Sequence, residues 1–366
     1  MSEDLPVVVI GGGQAGLSAG FYLQRAGLEP ARDFVILDAG EEPGGAWPRM
    51  WPSLRLFSPA GYSSLPGWQM PPTQGYPSAA HVRDYLGEYE QRYRLPLVRP
   101  ARVVAVRSDG EGPDRPLLVE TAERTYRARA VISATGTWDR PFWPAVPGMR
   151  EFAGEQLHAA QYREPGPFVD RRVLVVGGGN TAAQLLAEVS TVAETTWVTR
   201  RPPRFMADDV DGRVLFQAAT RRTRAVQQGG RWDEGAEAGV GGLGDIVMVA
   251  SVLEARERGV LHAEPMIERL TPEGAVWPDG TRRELDVVLW CTGFRPALAH
   301  LAPLQLRGGR HPVRTEPPGG TRSAEEPRLH LLGYGDWTGP ASATLIGVGR
   351  TARDAVAEVL DDLGLA

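Results

Sequence analysis

Val7-Val8-Val9-Ile10-Gly11-Gly12-Gly13-Gln14-Ala15-Gly16 is the stretch that decides the fold. A β-branched run enters a glycine turn, and Leu17 to Ala26 then reads as a helix. The same order returns at Val173-Leu174-Val175-Val176-Gly177-Gly178-Gly179-Asn180-Thr181-Ala182, with Ala183 to Val189 as the second helix. Strand, phosphate loop and helix, twice over, predict an α/β chain with two Rossmann-like dinucleotide-binding domains. A pyrophosphate needs backbone N–H groups at close range and a helix N-terminus to offset its charge. Gly11 makes the tight turn, Gly13 lets the backbone approach, and Gly16 lets the helix pack on the strand. Gln14 and Ala15 open the helix beside the phosphates.

The strands that follow the two loops end differently. Phe34-Val35-Ile36-Leu37 ends in Asp38, 22 residues past Gly16, where an acid hydrogen-bonds an adenosine ribose. Thr195 to Thr199 ends in Arg200-Arg201. An arginine fork holds a 2′-phosphate that an acid would repel. The alternative for this pair is two solvated arginines. One acidic and one basic ribose end point to FAD on the first loop and NADPH on the second, with NADH left open. On the second loop Gly177, Gly179, Asn180, Thr181 and Ala182 are the expected contacts.

Val131 to Gly136 and Val287 to Gly293 are both buried-strand patterns ending in Thr-Gly, and proline-rich sequence follows each. Such stretches suit crossings between domains. The expectation is a FAD domain, residues 1–145 and 288–366, interrupted by an NADPH domain, residues 146–287. Leu329 to Leu332 runs into Gly333-Tyr334-Gly335-Asp336, which can set Asp336 at a flavin ribityl hydroxyl. The run 341–344, with Ala343 and Thr344, then begins a helix whose N–H groups face a flavin edge; the alternative is a capped surface helix. Ser78 caps a helix with Val82, Tyr85, Leu86, Tyr89 and Tyr93 on one face. Short strands are expected at Val103–Val106, Leu117–Thr121 and Thr125–Ala130, a hairpin turn at Asp279-Gly280, loops at Gly229–Gly244 and Arg307–Glu326, and a last helix at Thr351–Leu363.

Composition narrows the class. The 366 residues allow two domains, and 40 basic against 45 acidic residues give a net charge of −5, which argues against a nucleic-acid partner. Every basic residue is arginine. The N-terminus lacks a basic segment before a long apolar run, and no stretch approaches a membrane span, so a cytoplasmic protein without membrane contact is expected. Cys291 is alone, which excludes an intrachain disulfide, a CxxC pair and a thiolate metal cluster. Asp208 to Asp211 reads as a solvated helix start, not a metal site.

Phe152-x-Gly154-x-x-x-His158-x-x-x-Tyr162 resembles the flavin-containing monooxygenase fingerprint and lies between the two glycine loops, as in that family. Gly44-Gly45-Ala46-Trp47, Ala134-Thr135-Gly136, Cys291-Thr292-Gly293-Phe294 and Gly335-Asp336 extend the resemblance over nearly the whole chain, toward the short bacterial members. It implies that NADPH reduces FAD, and that dioxygen then forms a C4a-hydroperoxyflavin which oxygenates a small molecule bearing a soft sulfur or nitrogen. It also implies flavin contacts from Gly45, Ala46, Trp47, Ala134 and Thr135. No protein nucleophile or general base is required, and His158 is a packed linker residue. Where many members carry an Asn beside the flavin, this chain reads Leu54-Arg55-Leu56-Phe57-Ser58-Pro59, so Ser58 becomes the candidate there. Baeyer–Villiger relatives end the fingerprint in Trp, whereas Tyr162-Arg163 here favours heteroatom oxidation. Disulfide reductases need a cysteine pair that Cys291 cannot form. Ketone oxygenation and a non-enzymatic redox sensor are the alternatives; the substrate and a homodimer are left open.

Overall fold

A computed structural model describes residues 2–110, 115–208, 210, 245–309, 311–317 and 319–365. The expected Gly229–Gly244 loop, Asp209 and Asp211 lie outside them. Strand β1 (Ser2–Ile10) runs through the glycine turn into α1 (Gln14–Arg25), then β2 (Phe34–Leu37), α2 (Ala79–Arg92) and β3 (Leu97–Val98). An antiparallel meander follows: β4 (Val103–Ser108), β5 (Leu117–Thr121) and β6 (Thr125–Ser133). The first sheet has the order β3-β2-β1-β6-β5-β4, and β15 (Leu329–Leu331) adds to β6 in parallel. The expected strand at Thr125–Ala130 and the buried run after it are one strand, because Ser2 to Ile10 pairs with its whole length.

Side-chain alternation along β1 builds two cores. Val7 and Val9 pack with Leu17, Ile36, Val82 and Tyr85, and with Val348 of α5 (Leu345–Leu363). Val8 and Ile10 pack with Val35, Leu37, Val119 and Tyr126. A central parallel strand is covered on both faces, which explains its unbroken apolar sequence. Ser78 does cap α2, its side chain accepting from the His81 N–H at 3.2 Å. Helix α5 starts at Leu345, not Thr351, because its buried stripe of Leu345, Val348, Ala352, Val356 and Val359 begins there.

The second sheet is all parallel, β10 (Ala263–Pro265), β9 (Glu194–Thr199), β8 (Arg172–Val176), β14 (Val287–Trp290) and β7 (Glu155–His158). Val173 and Val175 face α3 (Asn180–Val189) through Leu185, Leu186 and Val189, and α4 (Ala250–Glu257) joins this layer through Val252. Leu174 and Val176 face Phe152, Leu270 and Trp277. Part of that cover is a small antiparallel sheet, β11 (Arg269–Thr271), β12 (Gly274–Val276) and β13 (Arg282–Glu284). The Asp279-Gly280 turn joins its last two strands. Strand β14 belongs to this second sheet, so the chain returns to the first unit after Trp290, beyond the expected boundary at 288.

The two passages between the sheets lie side by side. Phe142 N–H donates to Gly293 O at 2.9 Å and Arg295 N–H to Arg140 O at 2.8 Å. Trp138 stacks on Phe294, 5.0 Å between ring centres, and Arg295 lies over the Phe142 ring. Among the described residues no helix is long and apolar enough to cross a membrane.

Candidate functional site

The first glycine loop opens onto a cavity of about 710 Å³. Gly11, Gly13, Gln14, Ala15, Asp38, Gly45, Ala46, Trp47, Ala134, Thr135 and Ala343 all line it, so eleven residues picked from five separate segments converge. The backbone is shaped for close approach. A Cβ on Gly11, at φ +111°, would sit 2.4 Å from Ala134 O. One on Gly45 would sit 2.7 Å from Gly13 Cα, so the two glycine segments touch. Gly16 lies below the cavity, where its hydrogen lets α1 rest on Gly11 O; a Cβ there would be 1.8 Å away. Helix α1 has no side-chain cap and no acid in its first turn, whereas Ser78 and Thr344 cap α2 and α5. The α1 N–H groups are thus left for an anion. Gln14 Nε2 donates to Ala343 O at 2.8 Å and ties the loop to the run before α5.

Three expected contacts are placed elsewhere. Asp336 Oδ1 accepts from Ala341 N–H at 3.1 Å and shapes the turn before α5. Thr344 caps α5, accepting from Gly347 N–H at 3.0 Å. Ser58 is hydrogen-bonded to Ser63 at 2.9 Å within its own turn. None of the three lines the cavity. Thr135 does, but its hydroxyl donates to Ala297 O at 2.8 Å and is 2.7 Å from Tyr334 Oη, so its job there is to brace the wall.

The bracing reaches further. Tyr334 Oη is 2.7 Å from Ser133 Oγ, which is 3.1 Å from His300 Nε2. Tyr334 and His300 both line the cavity. Burial holds His300 at about 4, neutral at ordinary pH, and raises Tyr334 above its usual range. The sequence does not point to this pair, since their partners lie 167 and 201 residues away. Nor does it point to Arg99. Its side chain is only 12% exposed and its guanidinium contacts both Asp38 and Glu90. At the cavity mouth Arg49 and Arg102 both pair with Asp139.

At the second loop Gly177 has φ +142°, and a Cβ there would meet Cys291 O at 2.3 Å. Gly179 precedes α3, which again lacks a side-chain cap. Ala182 is buried against the sheet, and Thr181 sits half-buried in the first turn. Asn180 is used by the protein itself: its Nδ2 donates to Asp245 O at 3.0 Å and its Oδ1 accepts from Val247 N–H at 2.8 Å. Arg200 and Arg201 stand exposed just past β9, with no partner among the described residues. A different cavity, about 720 Å³, lies at Asp170–Arg172 and Leu285–Asp286, away from both loops, with Arg172 already paired to Glu284 and Asp286.

The fingerprint residues are packed. His158 Nδ1 accepts from Ala160 N–H at 3.1 Å, so Nε2 carries the proton and donates to Gly293 O at 3.1 Å. Burial lowers its pKa. Tyr162 stacks on Phe168 and meets Trp51 edge-on. Cys291 is half-buried and desolvation raises its thiol far above the usual range. Among the described residues no His, Cys, Asp or Glu cluster could hold a metal.

A family profile described as pyridine nucleotide-disulphide oxidoreductase matches residues 8–230. A flavin-containing monooxygenase from Stenotrophomonas maltophilia is 52% identical, with 98% of this chain and 99% of that one covered and a TM-score of 0.87. This chain belongs to the flavin monooxygenase family. As a member it is an NAD(P)H-dependent flavoprotein monooxygenase. An uncharacterised oxidoreductase CzcO of Bacillus subtilis (strain 168) is 34% identical over 80% of this chain and 81% of its own length. The bacillithiol disulfide reductase of Staphylococcus aureus, 15% identical with a TM-score of 0.71 over 98% and 99% of the two chains, shares the fold.

Proposed function

We propose that this flavin monooxygenase uses NADPH and dioxygen to oxygenate small soft nucleophiles, thioethers or amines. FAD would occupy the cavity of the first unit and NADPH the second glycine loop, with NADH a weaker donor. This makes the first sheet the core of the FAD domain, near 1–145 and the segment after Trp290, and the second sheet that of the NADPH domain. Bound FAD supplies hydride acceptance and the activation of dioxygen. The residues present suit it. Gly11 and Gly13 admit a pyrophosphate to the uncapped start of α1, and Asp38 reaches the ribose end of the same cavity. Arg200 and Arg201 offer five donors each to a 2′-phosphate. His300 and Tyr334 brace the wall and move no proton, one kept neutral and the other kept protonated by burial.

The observation that carries the reading is the convergence on one cavity of the first glycine loop, Asp38 and Ala343. Heteroatom chemistry is favoured over ketone chemistry by Tyr162-Arg163 at the end of the fingerprint. The test is oxygen uptake with NADPH and a small aryl thioether, with product identified by mass. One oxygen atom added to sulfur supports the proposal. Ester from a cyclic ketone, with thioether untouched, would make it a Baeyer–Villiger enzyme. NADPH spent only to hydrogen peroxide, whatever the substrate, would leave an oxidase or sensor.

A further inference from the structure

We propose that Arg99 is a positioning residue that fixes Asp38 for the adenosine half of FAD and so sets the preference for FAD over FMN. The inference rests on FAD occupying the first cavity. Arg99 follows β3, the edge strand beside β2, and its guanidinium reaches Asp38 just past the end of β2. Its Nε and Nη2 lie 2.9 and 2.8 Å from Asp38 Oδ2. Its Nη1 and Nη2 each donate at 3.1 Å to Glu90 near the end of α2, a two-pronged contact. All three side chains are 9–12% exposed.

The arrangement divides the labour of the Asp38 carboxylate. Oδ2 is enclosed between Arg99 and the backbone of Gly12, where an added Cβ would come within 2.6 Å of it. Among the described residues Oδ1 has a single weak donor, Gly40 N–H at 3.3 Å. A carboxylate has about four acceptor sites. The under-used oxygen is therefore Oδ1, and Asp38 lines the cavity. A carboxylate whose Oδ2 is locked in place cannot turn, and it presents a fixed acceptor to the vicinal hydroxyls of a ribose. FMN has no adenosine, so it gains nothing from this contact. Two carboxylates share the one arginine, so the fork matters as well as the charge: a lysine ammonium cannot reach both with paired bonds.

The experiment strips the flavin from the purified protein and titrates it with FAD and with FMN by flavin fluorescence quenching. Arg99→Met should weaken FAD about 10-fold or more while FMN changes by less than about 2-fold. Asp38→Asn in the same background should add little, because the two act through one contact. Should Arg99→Met fail to fold, Arg99→Lys carries the test, with FAD weakened at least about 3-fold and FMN unchanged. Equal weakening of both flavins, which a merely structural role would give, overturns the assignment, as does an unchanged FAD affinity. If the unmodified protein binds no FAD, the cavity reading falls as well. If it binds FAD and the variants keep its selectivity, only the role of Arg99 falls.

Discussion

Arg200 and Arg201 lie just past β9 and exposed, with no partner among the described residues. Each charge-assisted bond to a phosphate contributes about 1.5–3 kcal/mol. Arg200→Gln should raise the KM for NADPH about 10-fold, leave kcat within about 3-fold and spare NADH. Steady-state rates with both nucleotides check this; equal effects on the two would remove Arg200 from the 2′-phosphate. Cys291 offers the opposite expectation. It has no second cysteine and its thiol stays protonated. Cys291→Ser should keep NADPH oxidation within about 3-fold, since Gly177 packs against its backbone and serine is close to cysteine in size. Residues of this kind are legible when the requirement is local, as for Gly11 and its turn. Asn180 is not, because only the fold brings 245–247 to its amide.

Among elements, the strand–turn–helix units are the most legible part of the chain, since apolar run, glycines and helix adjoin in sequence. The β11–β13 sheet is the least, with three strands of three residues each and no period to read. Asp336 shows the limit from the other side. Its Gly-Asp ending is legible, but the bond from Ala341 N–H to Oδ1 is not, because the tight turn into α5 brings the two together. The second glycine turn gives a prediction at this scale. A methyl at Gly177 would meet Cys291 O at 2.3 Å with the backbone at φ +142°. Gly177→Ala should therefore lose NADPH-driven flavin reduction by more than about 100-fold. The same protein reduced with dithionite should still reoxidise in air. Failure of both, watched as flavin absorbance under anaerobic and then aerated buffer, would mean that the turn supports the whole fold.

Across the whole molecule, stability depends on histidines kept neutral. Burial is the first cause of the lowered pKa at His158, His300 and His330, with His300 at about 4 and His330 at about 3. Unfolded, each takes up a proton near pH 6.5. Between that value and the native one the unfolded chain binds more protons, so stability falls as pH falls. Each histidine contributes at most about 1.4 kcal/mol per pH unit to the slope. Urea midpoints should drop from pH 7 to pH 5, and His300→Gln should shallow the drop; a flat profile would remove these histidines from the account. The passages between the sheets bear on how the chain is divided. The chain leaves the first unit at Arg140 and comes back at Arg295 across one hydrogen bond of 2.8 Å, a gap that a two-residue turn closes. The intervening segment thus interrupts the first unit, its host, without re-routing it. What the host keeps for its guest is an apolar landing patch, Trp51, Leu54, Phe57 and Ala341, sunk into the guest's core. Deleting the segment should therefore expose that patch, and polar residues at those positions or a new cover would be needed to keep the first unit from associating.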